Sequence, residues 1–113
     1  MFKSSDNNEK LWEKATNGDL PALRALAEKG YALAQMKLSR RYEEGDGMPR
    51  NSEEALKWCR KAAEQGDPDA QYVMGLYYSN GRVVAKDKVE ANRWLEKAAK
   101  QCNTKAKEEI LKQ

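Results

Sequence analysis

Histidine is absent from this sequence of 113 residues. With it go Ser-His and Cys-His nucleophile pairs, histidine metal sites and the usual proton acceptor near pH 7. Cysteine is scarce. Cys59 and Cys102 stand 43 residues apart, which makes neither a CxxC metal pair nor a disulfide framework. No GxxxxGK[ST] or GxGxxG loop occurs, so no phosphate cradle is encoded. The acidic stretch EEGDGMPRNSEE lacks the spacing of a calcium loop. No apolar run approaches the ~18 residues that span a bilayer, and the opening MFKSSDNNEK contains no apolar segment of the secretory kind. Basic residues number 21 against 18 acidic, a net charge of +3 with the signs interspersed, so there is no dense basic stripe of the sort nucleic acid requires. These absences predict a non-enzyme without metal or cofactor. They place it in the cytosol with reduced thiols, off nucleic acid and membrane, as a monomer or weak homo-oligomer.

What is present is repetition. Sliding residues 30–65 onto 66–101, an offset of 36, gives 12 identities without a gap. They are Gly30/Gly66, Ala34/Ala70, Gln35/Gln71, Tyr42/Tyr78, Gly45/Gly81, Glu54/Glu90, Ala55/Ala91, Trp58/Trp94, Lys61/Lys97, Ala62/Ala98, Ala63/Ala99 and Gln65/Gln101. A third of positions does not coincide by chance with glycines and tryptophans in register.

Each unit reads as two helices. Ala34, Leu38, Tyr42 and their equivalents Ala70, Met74, Tyr78 step by four, one apolar stripe on a first helix. Gly45 and Gly81 suit the left-handed residue after it. Asn51 with Glu54, and Asp87 with Glu90, are an N-cap acceptor and its partner three residues on. Ala55, Trp58, Ala62 and Ala91, Trp94, Ala98 are the stripe of the second helix. Asp67 and Pro68 open the next one. Trp58 and Trp94 read as core because they recur at one repeat position, and Cys59 as a buried thiol because Leu95 is its counterpart. The chain divides into a tail (1–7), an N-terminal helix pair (8–30), repeat one (31–66), repeat two (67–102) and a C-terminal capping helix (103–113). Leu11, Trp12, Ala15, Leu23 and Leu26 are the expected core of the first pair, whose helices fall at 8–17 and 20–29. The polar outer side of the last helix suits the end of a stack.

These residues resemble the Sel-one-like repeat (SLR), whose unit runs A-x-x-x-L-G-x-x-Y, then G-x-G-V, D-x-x-K-A and W-x-x-K-A-A-x-x-G. Unit one matches at Ala34, Leu38, Tyr42, Gly45, Gly47, Ala55, Trp58, Lys61, Ala62, Ala63 and Gly66. Unit two matches at Ala70, Gly75, Tyr78, Gly81, Val84, Asp87, Ala91, Trp94, Lys97, Ala98 and Ala99. Val83 stands where the second loop glycine belongs, so that loop is expected to bend differently. The resemblance implies an all-α fold without β-sheet, a right-handed α-solenoid of about seven helices in antiparallel pairs. It also implies an adaptor or scaffold that binds proteins. Cys59 has no partner cysteine in its repeat, so the disulfide-bearing secreted subclass of that family is not expected.

Solenoids present the first helix of each pair on a concave face, the expected seat of a partner. Away from the stripe, unit one places Met36, Lys37, Arg40 and Arg41 there, and unit two Tyr72, Val73, Leu76 and Tyr77. A basic ledge beside an apolar and aromatic patch is the composition of an interface. The alternative for Leu76 and Tyr77 is packing against the last helix. Two roles fit: an adaptor for a protein or peptide, or an immunity protein that neutralises one bacterial toxin.

Overall fold

The cap signals act locally, so they are the place to begin. In this computed structural model, which describes residues 3–101 and 104–112 (side chains of 8–101 and 105–111), Asp19, Asn51, Asp67 and Asp87 each accept the backbone N–H three residues on, at 2.9 to 3.1 Å. Each occupies one of the donors a helix start leaves unpaired. The helices that follow are α1 (Lys3–Thr16), α2 (Leu20–Glu28), α3 (Ala32–Glu44), α4 (Ser52–Glu64), α5 (Pro68–Asn80), α6 (Lys88–Lys100) and α7 (Thr104–Lys112). Helix α1 begins at Lys3, so residues 3–7 are helix and not tail. Neither proline nor glycine stands between Lys3 and Asn17 to stop it.

Among the described residues there is no strand. The helices alternate in direction, and the main packing joins each to the next in sequence. The result is a right-handed α-solenoid, a slab of 49 × 33 × 17 Å. Its apolar clusters lie at the junctions between units. Leu23, Leu26, Ala34 and Leu38 meet Trp58 at the first junction. Leu56, Cys59, Ala70, Met74 and Tyr77 meet Trp94 at the second. Leu95, Ala98 and Ala106 form the third, under α7. Each tryptophan therefore closes the unit before its own. Full burial of a side chain such as Leu38 contributes roughly 1.5–3 kcal/mol, and a unit alone could not achieve it. Among the described residues neither indole N–H of Trp58 or Trp94 finds an acceptor.

Tyr42 and Tyr78 are half-buried at the edge of the stripe. Arg24 donates to the Tyr42 hydroxyl at 2.6 Å and Arg60 to that of Tyr78 at 3.1 Å. Both pairs sit at the same repeat position, with the guanidinium also over the ring. The phenol oxygen keeps these side chains at the rim, where it has a donor.

Side-chain amides, buried at Gln35 and Gln71, tie the units together. Gln35 Nε2 donates to the Ala27 carbonyl at 3.1 Å, and Gln65 Nε2 donates to Gln35 Oε1 at 2.8 Å. One unit on, Gln71 donates to Ala63 at 3.2 Å and Gln101 to Gln71 at 2.9 Å. Each glutamine pair thus spans three successive helix ends.

The helices of a pair approach closely through small residues. At Gly75 an added Cβ would lie 2.7 Å from Leu95. The equivalent in unit one is Ser39, whose hydroxyl donates to the Ala55 carbonyl at 2.6 Å, and Leu95 is replaced there by Cys59. A smaller residue on one helix faces a larger one on the other.

The expected difference at Val83 is confined to one turn. Gly45 and Gly81 have φ of 71° and 69°, and Gly47 and Val83 have 80° and 66°. The flanking bonds also match: Asp46 to Arg41 and Arg82 to Tyr77, then Asn51 to Tyr42 and Asp87 to Tyr78, at 2.9 to 3.1 Å. Both loops must connect helices set at the same spacing, so Val83 is held in the left-handed region that β-branched residues avoid. Here the loops part: the Val84 amide donates to the Arg82 carbonyl at 2.6 Å, closing a three-residue γ-turn about a residue with positive φ, whereas no such bond spans Gly47 among the described residues.

Candidate partner-binding site

Helices α3 and α5, the first of each repeat, run side by side with their stripes turned toward the cores. Between them lies a cleft of about 270 Å³. Met36 comes from α3, and Val73 and Leu76 from α5; all three are half-buried and give the cleft hydrocarbon walls. Arg40 and Glu44 stand at its mouth, and Ser39 and Tyr77 at its floor.

One end is closed by a polar cluster. The Tyr77 hydroxyl donates to Glu43 Oε2, and Arg82 Nη2 donates to Glu43 Oε1. Ser52 Oγ donates to the same Oε1 at 3.1 Å, and Arg82 also lies over the Tyr77 ring, 5.9 Å from its centre. Burial alone would raise the Glu43 pKa, but the bonds from Tyr77, Arg82 and Ser52 outweigh it and hold the carboxyl below its ordinary value. Burial, with the facing carboxylate, pushes the Tyr77 phenol well above its usual value. Both shifts lead away from proton transfer at neutral pH, so the cluster braces the cleft and joins repeat one to repeat two.

A second cleft of about 230 Å³ lies between α1 and α3. Lys37, Arg40 and Arg41 line it with Trp12, Glu44 and Asp46. Arg41 pairs with Asp46 at 3.8 Å.

The eight candidate residues therefore divide. Met36, Arg40, Val73, Leu76 and Tyr77 line the α3–α5 cleft, with Arg40 shared; Lys37 and Arg41 belong to the α1–α3 cleft. Tyr72 lines neither. It packs against the cluster of Leu95, Ala98 and Ala106, so it is Tyr72, not Tyr77, that supports α7. Tyr77 is a correction of another kind: it is 5 % exposed and part of the second core, because Glu43 supplies an acceptor where its hydroxyl ends. Glu43 and Arg82 were missed. The signal for them was the overlay of Asp46 on Arg82, opposite charges at one loop position.

Among the described residues no three His, Cys, Asp or Glu side chains are placed to hold a metal ion. Cys59 donates to the Ala70 carbonyl at 3.4 Å, and burial pushes its thiol up to about 12, which makes it a packing residue. Cys102 lies outside the described residues. None of the described helices is long and apolar enough to cross a membrane.

The family model of the Sel1 repeat matches residues 32–67 and again 68–101. A Sel1 repeat protein from Oxalobacter formigenes is 44% identical, with a TM-score of 0.75 over 78% of this chain and 66% of that one. The protein c5321, a protective antigen of uropathogenic Escherichia coli strains with an SLR fold, is 32% identical, with a TM-score of 0.70 over 85% of this chain and 26% of that one. Cysteine rich protein B of Helicobacter pylori, 22% identical, shares the fold with a TM-score of 0.74 over 80% of this chain and 68% of that one. The chain thus spans just under two thirds of the first of these proteins and about a quarter of the second. No curated protein gives a significant match.

Proposed function

Because the chain belongs to the Sel1 repeat family, whose members are generally protein-interaction scaffolds, we propose that it is a non-catalytic adaptor that takes a protein or peptide partner into the α3–α5 cleft. The observation that carries this is the use of Met36, Val73 and Leu76. Met36 and Val73 pack against the second core with one side and leave the other in the cleft, and Leu76, which belongs to none of the apolar clusters, joins them in the same concavity. Clustered apolar side chains beside an arginine are the usual make-up of a binding hot spot. The interspersed charge supports a partner other than nucleic acid, and a cytosolic setting away from membrane, as a monomer or weak homo-oligomer, belongs to the same proposal.

The test compares wild type with Leu76→Glu and with the control Leu33→Glu, whose side chain is exposed and outside the cleft. Partners are captured from the native cell extract and then rebound as purified proteins. Loss of binding in Leu76→Glu alone supports the cleft. Equal binding by all three refutes it. A single stoichiometric partner held near nanomolar Kd would identify a dedicated inhibitor of the immunity type, and several micromolar partners an adaptor.

A further inference from the structure

The cleft is small and its charge is uneven, and together these restrict what can enter it. A volume of about 270 Å³ falls short of the ~300–1,000 Å³ of pockets that enclose whole small ligands. It is room for one or two side chains of a larger partner. The hydrocarbon of Met36, Val73 and Leu76 selects apolar ones.

The charges around the cleft are mostly satisfied from within. Glu43 is engaged by Tyr77, Ser52 and Arg82, and Arg41 faces Asp46. Arg40 differs. It is exposed at the mouth and makes no hydrogen bond or ion pair among the described residues. Lys37, nearly one turn earlier on α3, is exposed and equally unengaged. Glu44, one turn beyond Arg40, carries the opposite charge at the far rim and lines both clefts. Along α3 the rim is thus positive beside the hydrocarbon and negative past it. Unit two sets no carboxylate against Arg40: its helix α5 brings Val73, Leu76, Tyr77 and Asn80 to that side.

We infer that the docking segment of the partner carries an aliphatic or aromatic side chain with an Asp or Glu within one helical turn of it, the apolar group entering between Met36, Val73 and Leu76 and the carboxylate meeting Arg40. This rests on the reading that the α3–α5 cleft is the docking site. A guanidinium beside a desolvated apolar patch forms charge-assisted, two-pronged bonds to a carboxylate, and complementary charge sets register along the groove.

The probe is a phage-displayed library of random peptides panned on the whole chain, followed by fluorescence polarisation with the enriched peptides. Wild type, Arg40→Gln, Arg40→Glu and Leu76→Glu are compared. Should Leu76→Glu lose helicity, the milder Leu76→Ala takes its place. The expected result is enrichment of an acid next to an apolar anchor, about tenfold weaker binding to Arg40→Gln, still weaker binding to Arg40→Glu, and weakening with added salt. Enriched peptides that are neutral or basic, and that need Leu76 but not Arg40, would overturn the acidic partner and leave the cleft standing. Peptides indifferent to every substitution, or no enrichment at all, would overturn both.

Discussion

Val83 offers a test of the loop geometry that separates backbone strain from packing. Replacing it by glycine alone would mix three effects: release of strain, loss of a half-exposed side chain (45 % accessible) and the freedom glycine gains in the unfolded chain. Comparing Val83→Gly with Val83→Ala removes nearly all of the packing difference. At an ordinary position glycine is less stable than alanine by roughly 0.5–1 kcal/mol. With φ at 66°, alanine retains a left-handed penalty of roughly 1–2 kcal/mol that glycine lacks. The order therefore inverts, and Val83→Gly is expected to exceed Val83→Ala by about 0.5–1 kcal/mol, or roughly 2–4 °C in a chain of this size. Gly47→Ala is the mirror experiment. A methyl there meets nothing nearer than 3.8 Å, so its expected cost, about 1 kcal/mol, is conformational alone. Urea and thermal unfolding followed by far-UV circular dichroism give all three values. If Val83→Ala equals or exceeds Val83→Gly, the residue is not held left-handed and the two loops do not share a backbone.

Three further outcomes are expected. Gly75→Ser should cost roughly 1–3 kcal/mol through overpacking on Leu95, and a double-mutant cycle with Leu95→Cys should recover part of it by restoring the Ser39–Cys59 combination; strictly additive losses would show the two sites do not touch. Trp58→Ala should lose about 3–5 kcal/mol, whereas Trp58→Phe should lose clearly less, because it keeps a ring and removes an N–H that has no protein partner; equal losses in chemical denaturation would mean the N–H is engaged. The folded Glu43 carboxyl titrates below its ordinary value of 4.5, so its contribution to stability is present above that value and disappears as pH falls through the lowered one. Melting temperature measured from neutral to acid pH should accordingly drop more gently in Glu43→Gln than in wild type, and parallel curves would contradict the bracing role.

Local features of the fold could be read from residues because their causes are local. Asn51, Asp67 and Asp87 cap the helix that each precedes, and Gly45 and Gly81 end helices with a left-handed turn. The stripe was legible because a period of four recurs at an offset of 36. Tyr77 was misplaced for a different reason. Its position aligns with Arg41, an edge residue, and burying a phenol needs an acceptor. That acceptor is Glu43, 34 residues away in the chain and in the other repeat, a pairing no local pattern records. Tyr72 likewise meets α7 only through the way the last helix closes the stack. The α3–α5 cleft was half legible: Arg40 and Leu76 stand out as residues off the core stripe, but Met36 and Val73 also pack against the second core, and the grouping of all four depends on how far α3 and α5 stand apart. Val83 was legible only in part. A missing glycine was read as a changed bend, whereas the fixed spacing of the helices imposes the left-handed turn on whatever residue is there and confines the change to one turn.

The glutamine pairs make array length an adjustable quantity. Gln71 repeats the bonds of Gln35, and Gln101 those of Gln65, so a further 36-residue unit joined between Gly66 and Asp67 would bring its own donor for the carbonyl behind it and its own acceptor for the amide ahead. Neither neighbour would have to change a side chain. The distance between the first helix pair and α7 could then be lengthened in equal steps, giving a molecular ruler in which cleft spacing is chosen by counting units.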